Sequence, residues 1–345
     1  MRTGLIKKSL LALLVSTIII YFLGWKFIGS NNFIYLKIKE LIPPAVKATL
    51  KQTLFVLPAM RSEVNYLKNR NKYLEFKNGY MAGMLRTQLG TAYGMWGRYF
   101  EFDRQKVDCP KSAKVILVTG QSNAGNYLFS KEYENKRHVN FFKGSCYVLD
   151  NPVFGATGGQ ASVAPAIASK LISQLPYIFL TTGWVGTSIK AWSDEGPRLS
   201  EYTNEELKDL QKHGHDLSAV IWIQGESDSI WMCDKDTPSC TTPKKRIDYI
   251  KYFDLMKSKI LQDLKNKQNV KFVITQTSVC GNELARDETL NAQQLQLGKD
   301  KNTYVTEVTD SLGEEYRHDR CHFNALGVEA IAEEISSVLN DILPS

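Results

Sequence analysis

The sequence predicts a doubly wound α/β domain over roughly its last two-thirds, a parallel sheet with helices on both faces. Three observations carry this. From about residue 106 short β-branched runs recur, stretches with helical apolar spacing lie between them, and no internal repeat interrupts the alternation. Strands alternating with helices call for a parallel sheet whose crossovers cover both faces. The runs at 114–119 (KVILVT), 177–182 (YIFLTT), 219–224 (AVIWIQ) and 270–277 (VKFVITQT) read as buried strands, being continuously apolar and β-branched. A weaker fifth lies at 304–308 (YVTEV), so a sheet of about five strands is expected. The helical stretches between and after them include 162–175 (SVAPAIASKLISQL), 247–267 (IDYIKYFDLMKSKILQDLKNK) and the closing 325–343 (ALGVEAIAEEISSVLNDIL).

Two zones precede that domain of residues 106–345. Residues 1–30 read as a transmembrane anchor: Arg2, Lys7 and Lys8 precede an uncharged run from Ser9 to Trp25, closed by Lys26. About twenty apolar residues span a bilayer, so residues 9–25 suffice if the ends snorkel. The positive cluster before the run predicts a cytoplasmic N-terminus and an exported remainder, single-pass and in the periplasm or outside the cell. A cleaved signal peptide is the competing reading, but Gly24 and Gly29-Ser30 are poor small-x-small sites. Residues 31–105 read as a helical, amphipathic stem or accessory region, with SEVNYLKNRNKYLEF (62–76) at helical spacing and Pro43, Pro44 and Pro58 as punctuation. It carries no catalytic pattern. It either packs as a stem or presents a docking surface for an envelope or polysaccharide-assembly partner.

Composition narrows the class. In 345 residues, apolar types make up 43% and charged types 23%, ordinary globular values that exclude disorder. A formal charge of +7 favours anionic partners such as acidic polysaccharide or lipid headgroups. No stretch concentrates Lys and Arg with interleaved aromatics, so no nucleic-acid interface is expected. All six cysteines follow the anchor, which agrees with export and makes disulfides the expectation. Cys233 and Cys240 bracket a short polar loop and form the most natural pair. Cys280 and Cys321 both follow strands and could meet, leaving Cys109 and Cys146 to each other. Zinc is the alternative, though no C-x2-C pair exists.

In an open parallel sheet ligands bind beyond the carboxyl ends of the strands, so the residues following each strand matter most. The first strand runs into Gly120-Gln121-Ser122-Asn123, the second into Gly183-Trp184-Val185-Gly186-Thr187-Ser188, and the third into Gln224-Gly225-Glu226-Ser227-Asp228. Asp319-Arg320-Cys321-His322 precedes the last helix. Together these supply what acyl transfer needs. A serine hydroxyl requires a base within hydrogen-bond reach; His322 can serve, with Asp319 fixing its tautomer. The backbone at Ser122 and Gly186 and the Gln224 amide can donate to an oxyanion.

These blocks, Gly-Gln-Ser-Asn at 120–123, Gly-Thr-Ser-Ile at 186–189 followed by Trp192, Gln-Gly-Glu-Ser-Asp at 224–228 and Asp-x-x-His at 319–322, resemble the four blocks of SGNH hydrolases. The nearest branch is the sialate O-acetylesterase-like and acetylxylan-esterase-like group of carbohydrate esterases, over residues 106–345. The resemblance implies an SGNH-type three-layer α/β/α fold. It also implies Ser122 as nucleophile, His322 as base, Asp319 as its orienting acid, and Ser122, Gly186 and Gln224 as oxyanion donors. Gln121, Asn123, Trp192 and Glu226 are candidate substrate contacts. Two departures stand out: Val185 where the branch usually has a second glycine, and Cys321 inside the fourth block, which would staple that loop if oxidised.

Other readings are weaker. Gly120 and Gly125 begin a phosphate-loop spacing, but Asn126-Tyr127 stand where Lys and Ser or Thr are required. The α/β-hydrolase elbow needs a glycine where Ala124 stands. Ser122 alone would read as a helix cap, and His318 competes with His322 for the base role. His213 and His215 beside Asp216 read as surface residues rather than metal ligands. Glu226 and Asp228 read equally as buried scaffolding or substrate contacts. The expectation is an exported O-acetylesterase that removes acetyl groups from a surface or extracellular polysaccharide, with no metal or organic cofactor. An O-acetyltransferase using the same acyl-enzyme, and a catalytically idle glycan-binding or assembly protein, are the alternatives.

Overall fold

The computed structural model describes residues 104–134, 137–193, 199–230, 245–281, 284–306 and 308–343. The expected anchor, nearly all of the stem, the Cys233–Cys240 pair and the domain boundary at residue 30 therefore lie outside the described residues. Among the described residues no helix is long and apolar enough to cross a membrane.

The sheet has eight strands rather than about five. They are β1 (Lys106–Val107), β2 (Lys114–Gly120), β3 (Val139–Phe142), β4 (Ser145–Val148), β5 (Tyr177–Thr181), β6 (Leu217–Ile223), β7 (Lys271–Thr275) and β8 (Thr303–Thr306), in the spatial order β1-β4-β3-β5-β2-β6-β7-β8. From β3 to β8 along that order every pairing is parallel, and β4 and β1 extend one edge antiparallel. All five expected strands are present; β1, β3 and β4 were not foreseen. β3 and β4 form a hairpin over Lys143-Gly144, both at positive φ (46° and 69°), the geometry of a two-residue turn between twisted strands.

The chain passes from β2 to β3 and β5 on one side and then returns to β6 on the other. The reversal at β2 opens a crevice at its carboxyl end, where open sheets place their ligand sites. β2 and β6 are apolar and almost wholly buried, as central strands covered on both faces must be. Their side chains alternate between two cores. Val115 and Leu117 face α2 (Leu199–Lys212), α3 (Tyr249–Leu261) and α4 (Glu288–Leu297). Ile116 and Val118 face α1 (Ala164–Lys170) and α6 (Ala325–Ile342), while α5 (Val308–Ser311) is one short turn after β8. The layering is thus α/β/α.

Helix ends follow local chemistry. Asp248 and Asp287 cap α3 and α4 by accepting from Lys251 and Leu290 N–H, and Asn324 caps α6 by accepting from Leu326 and Gly327. α1 is shorter than the apolar pattern predicts. Asn340 on α6 accepts from Ile172 N–H and donates to the Lys170 carbonyl, satisfying orphan groups that another helical turn would have used.

Candidate active site

Ser122 opens a 3-10 turn (Ser122–Ala124) directly after β2 and is 3% exposed. Its turn is fixed from both sides: Gln121 N–H donates to the Ile223 carbonyl at 2.9 Å and Trp184 N–H to the Gly120 carbonyl at 2.8 Å. Gly120 sits at φ +130°, and a Cβ there would lie 2.1 Å from the Ile223 carbonyl oxygen. Only glycine lets β2 end against β6 this closely.

The fourth block meets this turn. Asn123 Nδ2 lies 3.4 Å from the Cys321 carbonyl, Phe129 N–H donates to the Phe323 carbonyl at 3.0 Å, and the Tyr127 ring stacks on His322 at 5.6 Å. Asp319 Oδ2 accepts from His322 Nδ1 at 2.7 Å, while Asp319 Oδ1 takes the Cys321 and His322 backbone N–H groups at 3.0 and 2.7 Å. Burial pushes the Asp319 carboxyl up, but the His322 hydrogen bond and charge outweigh it and hold it far below the usual carboxylate range. It therefore stays ionised at any pH near neutrality, and any stability it adds is lost only as pH falls through that depressed value. With Nδ1 committed to Asp319, Nε2 is the nitrogen His322 has left for chemistry.

The expected cysteine staple is present. Cys280 and Cys321 are bonded, as are Cys109 and Cys146. The first bond ties the loop after β7 to the loop carrying His322, and Gly281 N–H adds a bond to the Arg320 carbonyl at 3.0 Å.

The second block turns at Gly186, which has φ +66° and open space around its α-carbon. Val185 donates its N–H to Thr157 Oγ1 at 3.0 Å and is not at positive φ, so its position in this turn does not require glycine. Among the described residues, neither the Ser122 nor the Gly186 backbone N–H finds a partner.

Five expected roles need correction, all because of burial. Gln224 is fully buried, and its Nε2 donates to Asp228 Oδ2 at 2.6 Å and Thr187 O at 3.1 Å, with Gln121 Oε1 at 3.3 Å. Its Oε1 accepts from the Tyr249 hydroxyl, so this amide locks the rim from beneath instead of facing an oxyanion. Gln121, 2% exposed, accepts from Ser227 N–H at 3.0 Å and joins the first block to the third. Asn123 and Glu226 have no exposed surface and bind each other, Nδ2 to Oε1 at 2.6 Å. Trp192 is also fully buried, packed edge-on against Trp222 with its indole N–H on Thr187 Oγ1, and offers no face to a sugar. The third block is therefore scaffolding.

Burial first, and then the neighbouring Glu226 charge, push the Asp228 carboxyl up to about 6, while hydrogen bonds from Ile189 N–H and Gln224 oppose this. A folded-state value above the unfolded one near 4 means that the buried charge costs stability above pH 6 and nothing below pH 4. We expect Asp228→Asn to gain on the parent by about 2 kcal/mol in unfolding free energy between pH 4 and pH 8. Urea titrations at the two pH values check it; a pH-independent difference would refute the assignment.

Three neighbours were not foreseen. Arg317, 4% exposed, donates to the Cys321 carbonyl at 2.6 Å and to the Thr309 carbonyl at 3.0 Å, bringing a buried positive charge toward Glu226 and Asp310. Tyr127 stacks on His322 at 5.6 Å and Phe129 on His318 at 3.9 Å. His318 does not replace His322: its Nε2 meets the Tyr127 carbonyl at 3.0 Å, and its Nδ1 is 4.0 Å from Asp319. His318, Asp319 and His322 place potential metal-ligand atoms within 4.8 Å of one another. A cavity of about 570 Å³ lined by Leu295, Val305, Val338 and Ile342 lies along β8, away from these groups.

The doubly wound sheet thus carries a buried serine turn after its first long parallel strand and an Asp-His loop beside it, the arrangement expected from the resemblance to SGNH hydrolases. Residues 173–339 match the family model described as carbohydrate esterase, sialic acid-specific acetylesterase. The match bears out the resemblance to the sialate O-acetylesterase-like branch and supports an esterase; the family's description implies acetylated carbohydrate as substrate. It takes in Gly186, Gln224, Asp319 and His322 and begins after Ser122. A solved structure of an Arabidopsis thaliana protein is similar at 16% identity and a TM-score of 0.48, covering 65% of this chain and 96% of that one. The search of curated proteins finds no match.

Proposed function

We propose that the protein is a serine-dependent O-acetylesterase acting on acetylated polysaccharide. The observation that carries this reading is the 2.7 Å bond between Asp319 Oδ2 and His322 Nδ1, on a loop held against the Ser122 turn. Ser122 Oγ attacks the acetyl carbonyl as its proton passes to His322 Nε2. The Ser122 and Gly186 N–H groups receive the oxyanion. The bond to the sugar oxygen breaks, and that oxygen takes the proton from His322. Water then attacks the acetyl-enzyme, gives a proton to His322, and acetate leaves as Ser122 is restored. We propose further that residues 9–25 anchor the chain and that the esterase domain works outside the cytoplasm, supported by the basic, apolar N-terminus and the two disulfides.

The test is to trap the intermediate. Full-length protein quenched during turnover of an aryl acetate is expected to carry one acetyl group on the peptide containing Ser122. Addition of acetylated glycan should then release free acetate. An acetyl group delivered to unacetylated glycan instead would make the protein a transferase, and turnover without a labelled Ser122 peptide would exclude this mechanism.

A further inference from the structure

The peptide unit that joins Cys321 to His322 is held at both ends. Its carbonyl, on Cys321, accepts from Arg317 Nη1 at 2.6 Å, and its N–H, on His322, donates to Asp319 Oδ1 at 2.7 Å. Carbonyl and N–H share one rigid plane, so gripping both fixes how the chain enters His322. The same guanidinium lies over the Phe323 ring, its Cζ 4.3 Å from the centroid, and its Nη2 donates to the Thr309 carbonyl at 3.0 Å. One side chain thus holds the residues before and after His322. The backbones of Arg317 and Phe323 also pair, and His318 N–H donates to the His322 carbonyl at 3.0 Å.

The loop needs such a hold. Arg320 sits at φ +64°, a conformation that a residue with a Cβ keeps only where its surroundings enforce it. The Cys280–Cys321 bond ties down the Cys321 side chain and not the peptide plane beyond it. Packing alone does not call for an arginine here: an apolar side chain would fill the space without the desolvation that a guanidinium only 4% exposed must suffer. Glu226, Asp310 and Asp319 oppose its charge. Glu226 Oε1 also accepts from Asn123 Nδ2, on the residue after Ser122, at 2.6 Å. One carboxylate therefore serves both the serine turn and the guanidinium behind the histidine loop.

We propose that Arg317 is a positioning residue that acts through His322, setting the peptide plane before it so that Nε2 can take the Ser122 proton. The inference rests on the serine-esterase reading and names the side chain that places its base. Arg317 touches neither substrate nor reacting atoms, so its removal should slow chemistry and leave substrate binding alone.

The experiment compares full-length parent, Arg317→Lys, Arg317→Met and His322→Ala, and each Arg317 variant combined with His322→Ala, on an aryl acetate. Arg317→Met is expected to lower kcat on the order of 10²-fold with KM within about twofold of the parent. Arg317→Lys, which keeps the charge and loses the fork, should fall between the two. In the His322→Ala background neither Arg317 substitution should cost more than about twofold, because the group it positions is gone. Hydrogen exchange gives a readout independent of turnover: in Arg317→Met the His318, Cys321 and His322 amides should exchange about tenfold faster, beyond any change in β2 and β6. An unchanged kcat, a matching rise in KM, or the same loss with and without His322 overturns the proposal. If Arg317→Met does not fold, Arg317→Lys faces the same three criteria. A parental rate in His322→Ala would instead sink the esterase mechanism, and amide exchange would still decide whether Arg317 holds the loop.

Discussion

Ser122→Ala is expected to lower kcat for acetyl-ester hydrolysis by about 10⁴-fold or more, and Asp319→Asn by on the order of 10³–10⁴-fold, with KM little changed in either. The two substitutions fail for different reasons. Alanine removes the nucleophile and leaves only binding and the two N–H donors at Ser122 and Gly186. Asparagine preserves the loop, because Oδ1 can still accept from Cys321 and His322 N–H. Its amide, however, would present N–H to His322 Nδ1 where a carboxylate oxygen now stands at 2.7 Å. The imidazole would then carry its proton on Nε2, the nitrogen that must accept one. Initial rates on an aryl acetate, with melting curves to confirm folding, check both. Parental rates in Ser122→Ala would remove the serine mechanism altogether.

The second large effect falls on stability. Gly120→Ala is expected to cost at least about 3 kcal/mol, a substantial part of the 5–15 kcal/mol typical of a folded domain. Two independent penalties add. At φ +130° an L-residue is strained by roughly 1–3 kcal/mol. The new methyl would also lie 2.1 Å from the Ile223 carbonyl oxygen and 2.6 Å from its carbon. Those atoms belong to the backbone of a central strand, so no rotamer change relieves the overlap. For a domain of this size the melting temperature should drop by roughly 6–12 °C. Calorimetry on the variant decides it, and a drop of a degree or two would mean that β2 and β6 can separate at their ends without cost.

Much of the architecture was legible because it rests on long signals. The four buried runs kept their apolar character for five or more residues, and three of the four motif blocks followed a run directly, so placing those runs in one sheet placed their blocks on one rim. β3 and β4 escaped because each has four residues, and their Lys143-Gly144 turn lacks the Asn-Gly or Asp-Gly signature of a tight hairpin. At the site, the sequence named the residues that converge but not which way they face. Gln224, Glu226 and Trp192 stand in motif positions, yet whether an amide, a carboxylate or an indole points to solvent depends on what packs behind it. Tyr249 and Thr187, which hold Gln224 and Trp192 in place, lie 25 and 5 residues away in the chain. Phe129 and Arg317 were silent for the opposite reason. Each looks ordinary in its own segment and gains meaning only where the loop after β2 meets the loop before α6.

The bond between Cys280 and Cys321 closes a loop of 41 residues immediately before His322 in the chain. By chain-entropy reckoning such a closure is worth about 4 kcal/mol. That makes the order of the loop carrying Asp319 and His322 depend on oxidation as well as on sequence. A chain whose thiols are reduced has His322 on an untethered segment, and the tether arrives only where oxidation is possible. Until it forms, the Asp319–His322 pair sits on a loop that only hydrogen bonds and packing hold against the serine turn.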